Sequence, residues 1–261
     1  MRTGATAPVQ TGTVGLSTAG WAGVGLVLLY LLSVATPAGQ QLDDATMQWT
    51  AAAVTSTGWA KTLLTAVSAG RMLLAGAALA IVTAAIRGLR TAARSTLSGG
   101  VVLLGAEVLK HSLIRPGFSV QALANSFPSG HVAAVAGLSL ALLLATPPGR
   151  WRRAAMVGAT GAVALTGFAT VVLQWHRPSD VFGSILLGVV VGVFASRQTR
   201  QAAMGCGASI LCPPRQRQAL TAAEPLRCAP RRRTDDNRSA QSLSQPPHRC
   251  ANDAAQVAQA Y

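Results

Sequence analysis

The chain has 261 residues, of which 50% are apolar and only 11% are charged. Soluble domains carry roughly 25% charged residues, so this composition argues against an ordinary soluble protein. The formal net charge is +14, but ten of the 22 basic residues follow residue 196. The basic balance therefore comes largely from a tail. Because this basic tail is attached to an apolar body, an anionic membrane surface is a better candidate for its partner than nucleic acid.

The first 18 residues are rich in Gly, Thr and Ala and are predicted to be loose. The apolar run that follows is centred on residues 26–32 and predicts a membrane span. The alternative is a secretory signal peptide, because Thr36-Pro37-Ala38 resembles a small-residue cleavage site. Arg2 is the only basic residue before the run, which is weak support for that alternative.

Five further apolar runs are typical of helices that cross a bilayer core about 30 Å thick. The six predicted spans are residues 20–36, 72–86, 95–110, 131–146, 154–173 and 179–196. Between the first two spans, residues 40–70 are of mixed polarity, and Trp49 and Trp59 suit a segment at the membrane interface. The sequence thus predicts an all-α polytopic membrane protein, with its transmembrane bundle within residues 19–196.

From Arg197 onward, Pro, Arg, Gln and Ser dominate and the apolar periodicity ends. Such a segment cannot bury enough apolar surface to offset its ordering entropy, so residues 197–261 are predicted to form a disordered basic tail. All four cysteines lie in this tail, and their spacing matches no zinc site and no Cys-x-x-Cys motif. They are Cys206, Cys212, Cys228 and Cys250, and we expect them to be unpaired.

Basic residues in the short loops predict the orientation of the chain. Three arginines lie between the second and third spans and three between the fourth and fifth: Arg87, Arg90, Arg94, Arg150, Arg152 and Arg153. Because Lys and Arg are enriched in cytoplasmic loops, we expect these loops and the tail to be cytoplasmic. In a plasma-membrane protein with an even number of spans, both termini would then be cytoplasmic.

Three polar clusters lie at the opposite, non-cytoplasmic ends of the spans. They are residues 110–116 (Lys-His-Ser-Leu-Ile-Arg-Pro), 125–131 (Asn-Ser-Phe-Pro-Ser-Gly-His) and 175–180 (Trp-His-Arg-Pro-Ser-Asp). The clusters contain every histidine that precedes residue 197, and the third contains one of only four acids in that part of the chain. Ionisable groups near hydrocarbon are costly and mark functional sites, so these clusters are the candidate site.

Together the clusters resemble the three-part signature of the type 2 phosphatidic acid phosphatase superfamily, which also includes vanadium haloperoxidases. That signature is Lys, six residues, Arg-Pro; then Pro-Ser-Gly-His; then Ser-Arg, five residues, His, three residues, Asp. The resemblance covers about residues 20–196. It implies a bacterial membrane-bound phosphatase that acts on a lipid phosphate or pyrophosphate at the outer face, with no cofactor, no metal and no nucleic-acid partner. Candidate substrates are phosphatidate, polyprenyl pyrophosphate or a glycolipid phosphate, while the oligomeric state stays open.

The resemblance also implies a role for each matching residue. His176 would attack phosphorus and form a phosphohistidine, Asp180 would hold its other ring nitrogen, and His131 would protonate the leaving alkoxide. The phosphate would be bound by Lys110, Arg115, Ser129 and Gly130, the last two at the start of a helix, where backbone N–H groups bind phosphate well.

The sequence departs from the family pattern at two places. Counting back from His176, the Ser-Arg pair falls at Ala169 and Thr170, so one phosphate-binding arginine is missing. We expect Arg177 to replace part of that charge, the alternative being an anchor that reaches the lipid headgroups. The expected lysine position is Val108, and Lys110 can contribute only if its helix ends before Arg115. Glu107 is spaced to pair with Lys110 or His111.

Two other function classes remain open from the sequence. A catalytically weak or inactive homologue could bind phospholipid headgroups, and the missing arginine is its best support. A transporter or channel would use the ionisable residues as a pathway, but no ionisable residue lies in the middle of a predicted span. A haloperoxidase is disfavoured because the core of the chain is membrane-bound.

Overall fold

The computed structural model describes residues 11–118 and 125–208, and the secondary structure of these residues is entirely helical. Eight α-helices occur in this part of the chain: α1 (Thr11–Leu29), α2 (Pro37–Ala52), α3 (Gly58–Ala66), α4 (Ala69–Arg87), α5 (Leu89–Ser112), α6 (Gly130–Ala145), α7 (Arg150–Val172) and α8 (Pro178–Ala208). A π-helical turn, Tyr30–Val34, extends α1. The prediction of an all-α fold is confirmed.

Five segments of the described chain are long and apolar enough to cross a membrane: Ser17–Val34, Ala69–Arg87, Leu89–Ser112, Arg150–Val172 and Pro178–Gln198. Helix α6 is apolar as well but shorter. Each of the six predicted spans coincides with one of these segments or with α6. The chain is therefore a polytopic membrane protein, and α2 and α3 are the additional helices between its first two spans.

The ends of the bundle differ from the prediction. Helix α1 begins at Thr11, so residues 11–18 are helical rather than loose, and α8 continues past Arg197 to Ala208. Extending an existing helix costs little because only nucleation is unfavourable, and Ala, Gln and Met in 198–208 are good helix formers. The chain divides into two units, Met1–Arg197 and Gln198–Tyr261, and the second unit is described only as far as Ala208. The predictions for residues 1–10 and 209–261 lie outside the described residues.

Small residues bring α5 and α6 together in the middle of the bundle. A Cβ atom on Gly99 would lie 2.5 Å from the carbonyl oxygen of Gly137, and one on Gly137 would lie 2.5 Å from that of Gly99. Only glycine at both positions permits this approach, as at many helix crossings in membranes. Val102, Ala106 and Ala133 continue the contact as a buried apolar cluster.

Four helices meet at one end of the bundle, where α5 and α7 end and α6 and α8 begin. The Ser129 N–H, just before α6, donates to the Asp180 carbonyl in α8 at 3.0 Å. Gly183 leaves room in α8 for the buried Phe127 ring, since a Cβ atom there would lie 2.5 Å from that ring. Helix α2 reaches the same end, where the Gln40 amide donates to the Pro116 carbonyl at 2.7 Å. All three predicted polar clusters lie here.

Candidate active site

His176 lies in a tight turn between α7 and α8. Helix α7 ends at Val172, and Gln174 adopts the left-handed conformation with a φ of 57°, as chains often do just after a helix. The turn brings the Trp175 and His176 N–H groups to the Thr170 carbonyl at 2.9 and 3.3 Å. The backbone of His176 is therefore fixed to the last turn of α7 by hydrogen bonds.

Asp180, in the first turn of α8, lies fully buried behind His176. Its Oδ2 atom is 3.4 Å from His176 Nδ1 and accepts hydrogen bonds from Ser126 Oγ at 2.6 Å and from the Arg177 N–H at 3.1 Å. Three contacts on one oxygen fix the orientation of the carboxylate. With Nδ1 facing Asp180, Nε2 is the ring nitrogen of His176 that remains for chemistry.

Arg115 contacts both Asp180 and Ser126. Its Nη1 donates to Ser126 Oγ at 2.8 Å, and its Nη2 lies 3.4 Å from Asp180 Oδ1. The side chain is only 3% exposed, and its Nε has no hydrogen-bond partner among the described residues. Burial lowers the pKa of Arg115 below its ordinary value, and the charge of Asp180 opposes that shift. Sequence reasoning gave no role to Ser126, although it lies within the second cluster.

Ser129, Gly130 and His131 begin α6 beside the same turn. Ser129 is the N-cap residue, and its hydroxyl accepts from the Val132 N–H at 3.5 Å, so this buried side chain caps the helix. The His131 ring centroid lies 6.2 Å from that of His176 and 5.8 Å from that of Trp175. The structure thus brings the two predicted catalytic histidines together at a helix N-terminus.

Lys110 reaches this helix start despite its unusual spacing from Arg115. Helix α5 ends at Ser112, and the next residue, Leu113, is extended with a φ of −89° and a ψ of 140°. The condition that the helix end before Arg115 is therefore met. A Cβ atom on Gly130 would lie 3.3 Å from Lys110 Nζ, whereas Val108, at the family's lysine position, is 62% exposed on the outside.

Glu107 pairs with both predicted partners. Its Oε1 lies 3.0 Å from Lys110 Nζ, and its Oε2 lies 3.8 Å from Nε2 of the exposed His111. The same Oε1 would be 3.1 Å from a Cβ atom on Gly130. A carboxylate and an ammonium group therefore lie side by side at the start of α6.

The position of the family's missing arginine is filled by packing. Ala169 and Thr170 are fully buried, and the Thr170 hydroxyl donates to the Gly167 carbonyl at 2.7 Å within α7. Ala169 packs against Ala60 and Leu64 of α3. A long side chain at position 170 would need space that this part of the fold does not offer.

Arg177 has a different partner from the predicted one. Its Nε lies 2.5 Å from Asp44 Oδ1 in α2, and the residue is only 1% exposed. This burial also contradicts the alternative of an anchor at the headgroups. Charge pairing inside the fold explains the placement, because a buried guanidinium group needs a carboxylate partner.

Asp43 and Asp44 are the functional candidates that sequence reasoning missed. Asp43 Oδ1 accepts from the Ser179 N–H at 3.1 Å, and its other oxygen accepts from the Ser179 hydroxyl. Burial raises the pKa of Asp43, and hydrogen bonds from Ser179 oppose the shift. The sequence did contain a signal for them, because only four acidic residues precede residue 197 and two of these are adjacent. Among the described residues, no three His, Cys, Asp or Glu side chains gather as metal ligands.

Comparison with known proteins agrees with this geometry. The family model of the PAP2 superfamily matches residues 17–203, which is more than half of the chain and includes every cluster of the site. The chain belongs to the PAP2 superfamily.

A solved structure has the same fold as this PAP2 protein. It is the crystal structure of the first transmembrane PAP2 type phosphatidylglycerolphosphate phosphatase from Bacillus subtilis, with a TM-score of 0.59 and 19% sequence identity. The match covers 70% of this chain and 96% of that chain. No curated protein matches the chain significantly in sequence.

Proposed function

We propose that this PAP2 protein is a membrane phosphatase that removes phosphate from a lipid phosphate or lipid pyrophosphate through a phosphohistidine intermediate. The observation that carries the proposal is the approach of His131 and His176, 6.2 Å apart between ring centroids, with Asp180 on Nδ1 of His176. A phosphoryl group between the two rings would meet a nucleophile on one side and a proton donor on the other.

In the first step, Nε2 of His176 attacks phosphorus. A P–N bond forms and the P–O bond to the leaving group breaks. Protonated His131 gives its proton to the leaving oxygen, which belongs to the alkoxide of a lipid phosphate or to the lipid monophosphate released from a pyrophosphate. Asp180 keeps the proton of His176 on Nδ1 and stabilises the positive ring that develops, as the carboxylate does in a Ser-His-Asp triad.

In the second step, water attacks the phosphohistidine. His131, now neutral, accepts a proton from that water, the P–N bond breaks, and inorganic phosphate leaves. Both histidines then have their starting protonation states. Proton donor and proton acceptor are the same residue in the two steps, which requires His131 to be accessible to water once the lipid has gone.

The positive charge that binds the substrate phosphate comes from Lys110, Arg115 and the N-terminus of α6. Lys110 Nζ lies beside Gly130, where the first N–H groups of the helix lack intrahelical partners. Arg115 lies on Asp180 and can offer its Nε to a phosphate oxygen. Because Ser129 caps α6, we assign phosphate binding there to the backbone of Gly130 and His131 rather than to the hydroxyl.

The substrate class is a phosphorylated lipid of the membrane, because the site lies among the ends of apolar helices. Phosphatidate, polyprenyl pyrophosphate and glycolipid phosphates are candidates, and the Bacillus subtilis protein adds phosphatidylglycerolphosphate. Purified protein should release phosphate from at least one of these lipids in detergent with a chelator present. His176→Ala, purified in parallel, measures contaminating phosphatase. Equal release by both proteins, or release abolished by the chelator, would contradict the proposal of a metal-independent phosphatase.

The site is proposed to face away from the cytoplasm, with both termini cytoplasmic. The six arginines lie in the helix ends opposite the site, which supports this orientation. In a background with the four native cysteines changed to serine, Gly117→Cys should react with an impermeant thiol reagent in intact cells, whereas Pro148→Cys should not. The reverse labelling pattern would place the site in the cytoplasm.

A weak or inactive homologue is the second candidate function. It is favoured by the buried Thr170, which stands where the family has a phosphate-binding arginine. Absence of phosphate release from the whole panel, together with saturable binding of phosphatidate vesicles, would support this function instead.

A further inference from the structure

One face of α2 is buried although it is largely polar. Gln40, Asp43, Asp44 and Met47, at the spacing of a single helical face, are all less than 10% exposed. Their neighbours Gln41 and Gln48 are exposed. None of these residues belongs to the three family clusters. A buried polar face needs partners, and those partners identify what the helix does.

Two acids of this face bind the residues on either side of Pro178, directly after His176. Asp44 pairs with Arg177 Nε at 2.5 Å. Asp43 accepts from both the N–H and the hydroxyl of Ser179. All four residues are buried, so solvent competes little for these contacts.

The third polar residue of the face binds the first cluster. The Gln40 amide donates to the Pro116 carbonyl, directly after Arg115, and to the Val34 carbonyl, each at 2.7 Å. Tyr30, in the π-helical turn before α2, donates to the Ile114 carbonyl at 2.6 Å. The segment 30–44 therefore contacts the backbone on both sides of Arg115 as well as the residues after His176.

We propose that Gln40, Asp43 and Asp44 of α2 are positioning residues that hold Arg115 and His176 in place against Asp180. This inference rests on the proposed function, since it assigns these residues to alignment of the same catalytic groups. It also gives Arg177 a role: its guanidinium group is an anchor for the turn, and its N–H orients Asp180 Oδ2.

Alignment is the expected role because the contacts converge on one oxygen. Arg177 N–H and His176 Nδ1 lie 3.1 and 3.4 Å from Asp180 Oδ2. If the ion pair between Asp44 and Arg177 were lost, the backbone of Arg177 and the adjacent His176 would shift together relative to Asp180. A displacement of about 1 Å costs about a hundred-fold in rate, so the loss should appear in kcat.

The test is a double-mutant cycle on the Asp44–Arg177 pair. Asp44→Asn and Arg177→Gln should each lower kcat by about ten- to a hundred-fold. KM should stay within about three-fold of the wild-type value, because phosphate binding is retained. The double variant should be no worse than either single variant, since both remove the same contact. If Arg177 instead bound phosphate, Arg177→Gln would raise KM and Asp44→Asn would not, which would overturn the proposal.

Hydrogen exchange provides a readout that does not depend on turnover. In Asp44→Asn, amides of residues 173–181 should exchange faster, while those of α5 near Gly99 stay unchanged. Gln40→Ala should accelerate exchange at residues 113–117, and its exposed neighbour Gln41→Ala is the matched control with wild-type exchange and kcat. Unchanged exchange in both Asp44→Asn and Gln40→Ala would overturn the proposal.

The outcomes separate this proposal from the proposed function. If wild-type protein releases no phosphate from any lipid, the proposed function fails, and hydrogen exchange then decides whether α2 holds the two segments. If Asp44→Asn does not fold, Asp44→Asn combined with Arg177→Gln removes both charges and takes its place. Wild-type kcat in that double variant would overturn the positioning role.

Discussion

The contact between α5 and α6 has two parts of different composition. In the middle of the bundle, Gly99 and Gly137 let the helix backbones touch, and the contact is made by close packing of small groups. At the site end, the Glu107–Lys110 ion pair of α5 lies beside Gly130 at the start of α6, so charged groups replace the small apolar ones. The comparison separates stability from chemistry: changes in the middle should lower the stability of the protein, and changes at the end should alter turnover or substrate binding.

The largest expected effect is on turnover, from His176→Ala at the site end. Removing the proposed nucleophile should reduce kcat by about four orders of magnitude or more, because in the proposed mechanism no other group forms the covalent intermediate. Thermal stability in detergent should stay close to that of the wild type, since in the described part of the chain the His176 side chain forms one hydrogen bond, to Asp180. Activity within a few-fold of wild type, measured as phosphate release, would refute the mechanism.

The next largest expected effect is also at the site end, from His131→Ala. Loss of the proposed proton donor should slow release of a lipid alkoxide by about a hundred-fold or more, because general acids contribute about 10²–10⁴-fold. A nitrophenol leaving group needs little protonation and should be cleaved at a rate closer to that of the wild type. Equal losses for the two substrates, measured side by side, would argue that His131 has another role.

In the middle of the bundle, Gly99→Ala should destabilise the protein by about 1–3 kcal/mol, because the new methyl group overlaps the Gly137 carbonyl. Gly100→Ala is the matched control: a Cβ atom there meets nothing within 4 Å, and alanine favours the helix. Thermal unfolding in detergent measures both variants. If the two shift the melting temperature equally, close backbone packing is not what holds this crossing.

A smaller effect is expected from Glu107→Gln, which removes the carboxylate that pairs with Lys110. Substrate phosphate would no longer compete with Glu107 for the ammonium group, so KM should fall by about two- to five-fold, the size of a partly exposed ion pair. Lys110→Gln should raise KM instead. Opposite shifts in KM, at nearly constant kcat, would show that both residues act on binding, and an unchanged KM in both variants would remove Lys110 from the phosphate site.

The smallest effect is expected from the pH dependence of Asp43→Asn. Burial raises the pKa of Asp43 in the fold, so the folded state binds more protons than the unfolded state, and stability falls as pH rises through that range. Asparagine does not titrate, so the variant should gain stability relative to wild type as pH is raised from about 4 to about 7.

The groups around Asp43 bear on this prediction. Asp180 also raises its pKa, Arg115 and the Ser179 hydrogen bonds lower it, and Asp44 adjoins it in α2. Melting temperatures across the pH range, with Gln48→Ala as the exposed control on α2, measure the difference. A difference that is constant with pH would contradict a raised pKa for Asp43.

Much of the fold followed from the sequence because membrane spans and helix breakers are local. Long apolar runs have one stable solution in a bilayer, and the six predicted spans coincide with helices of the structure. The Pro-Ser-Gly-His segment and the His-x-x-x-Asp spacing likewise placed His131, His176 and Asp180 at span ends that meet. Each of these features depends on residues close together in the chain.

What the sequence could not determine is which distant residues pair. The partner of Arg177 is Asp44, 133 positions away, and the partner of Ser179 is Asp43, 136 positions away. No local rule connects them, so Arg177 was assigned to phosphate on the strength of its neighbour in sequence. Only the folded arrangement shows that α3 packs against Ala169 and that α2 lies against the turn of His176. Burial decided the pairing of Arg177 with Asp44, because a charge in a closed interior must pair with the opposite charge that the fold brings to it.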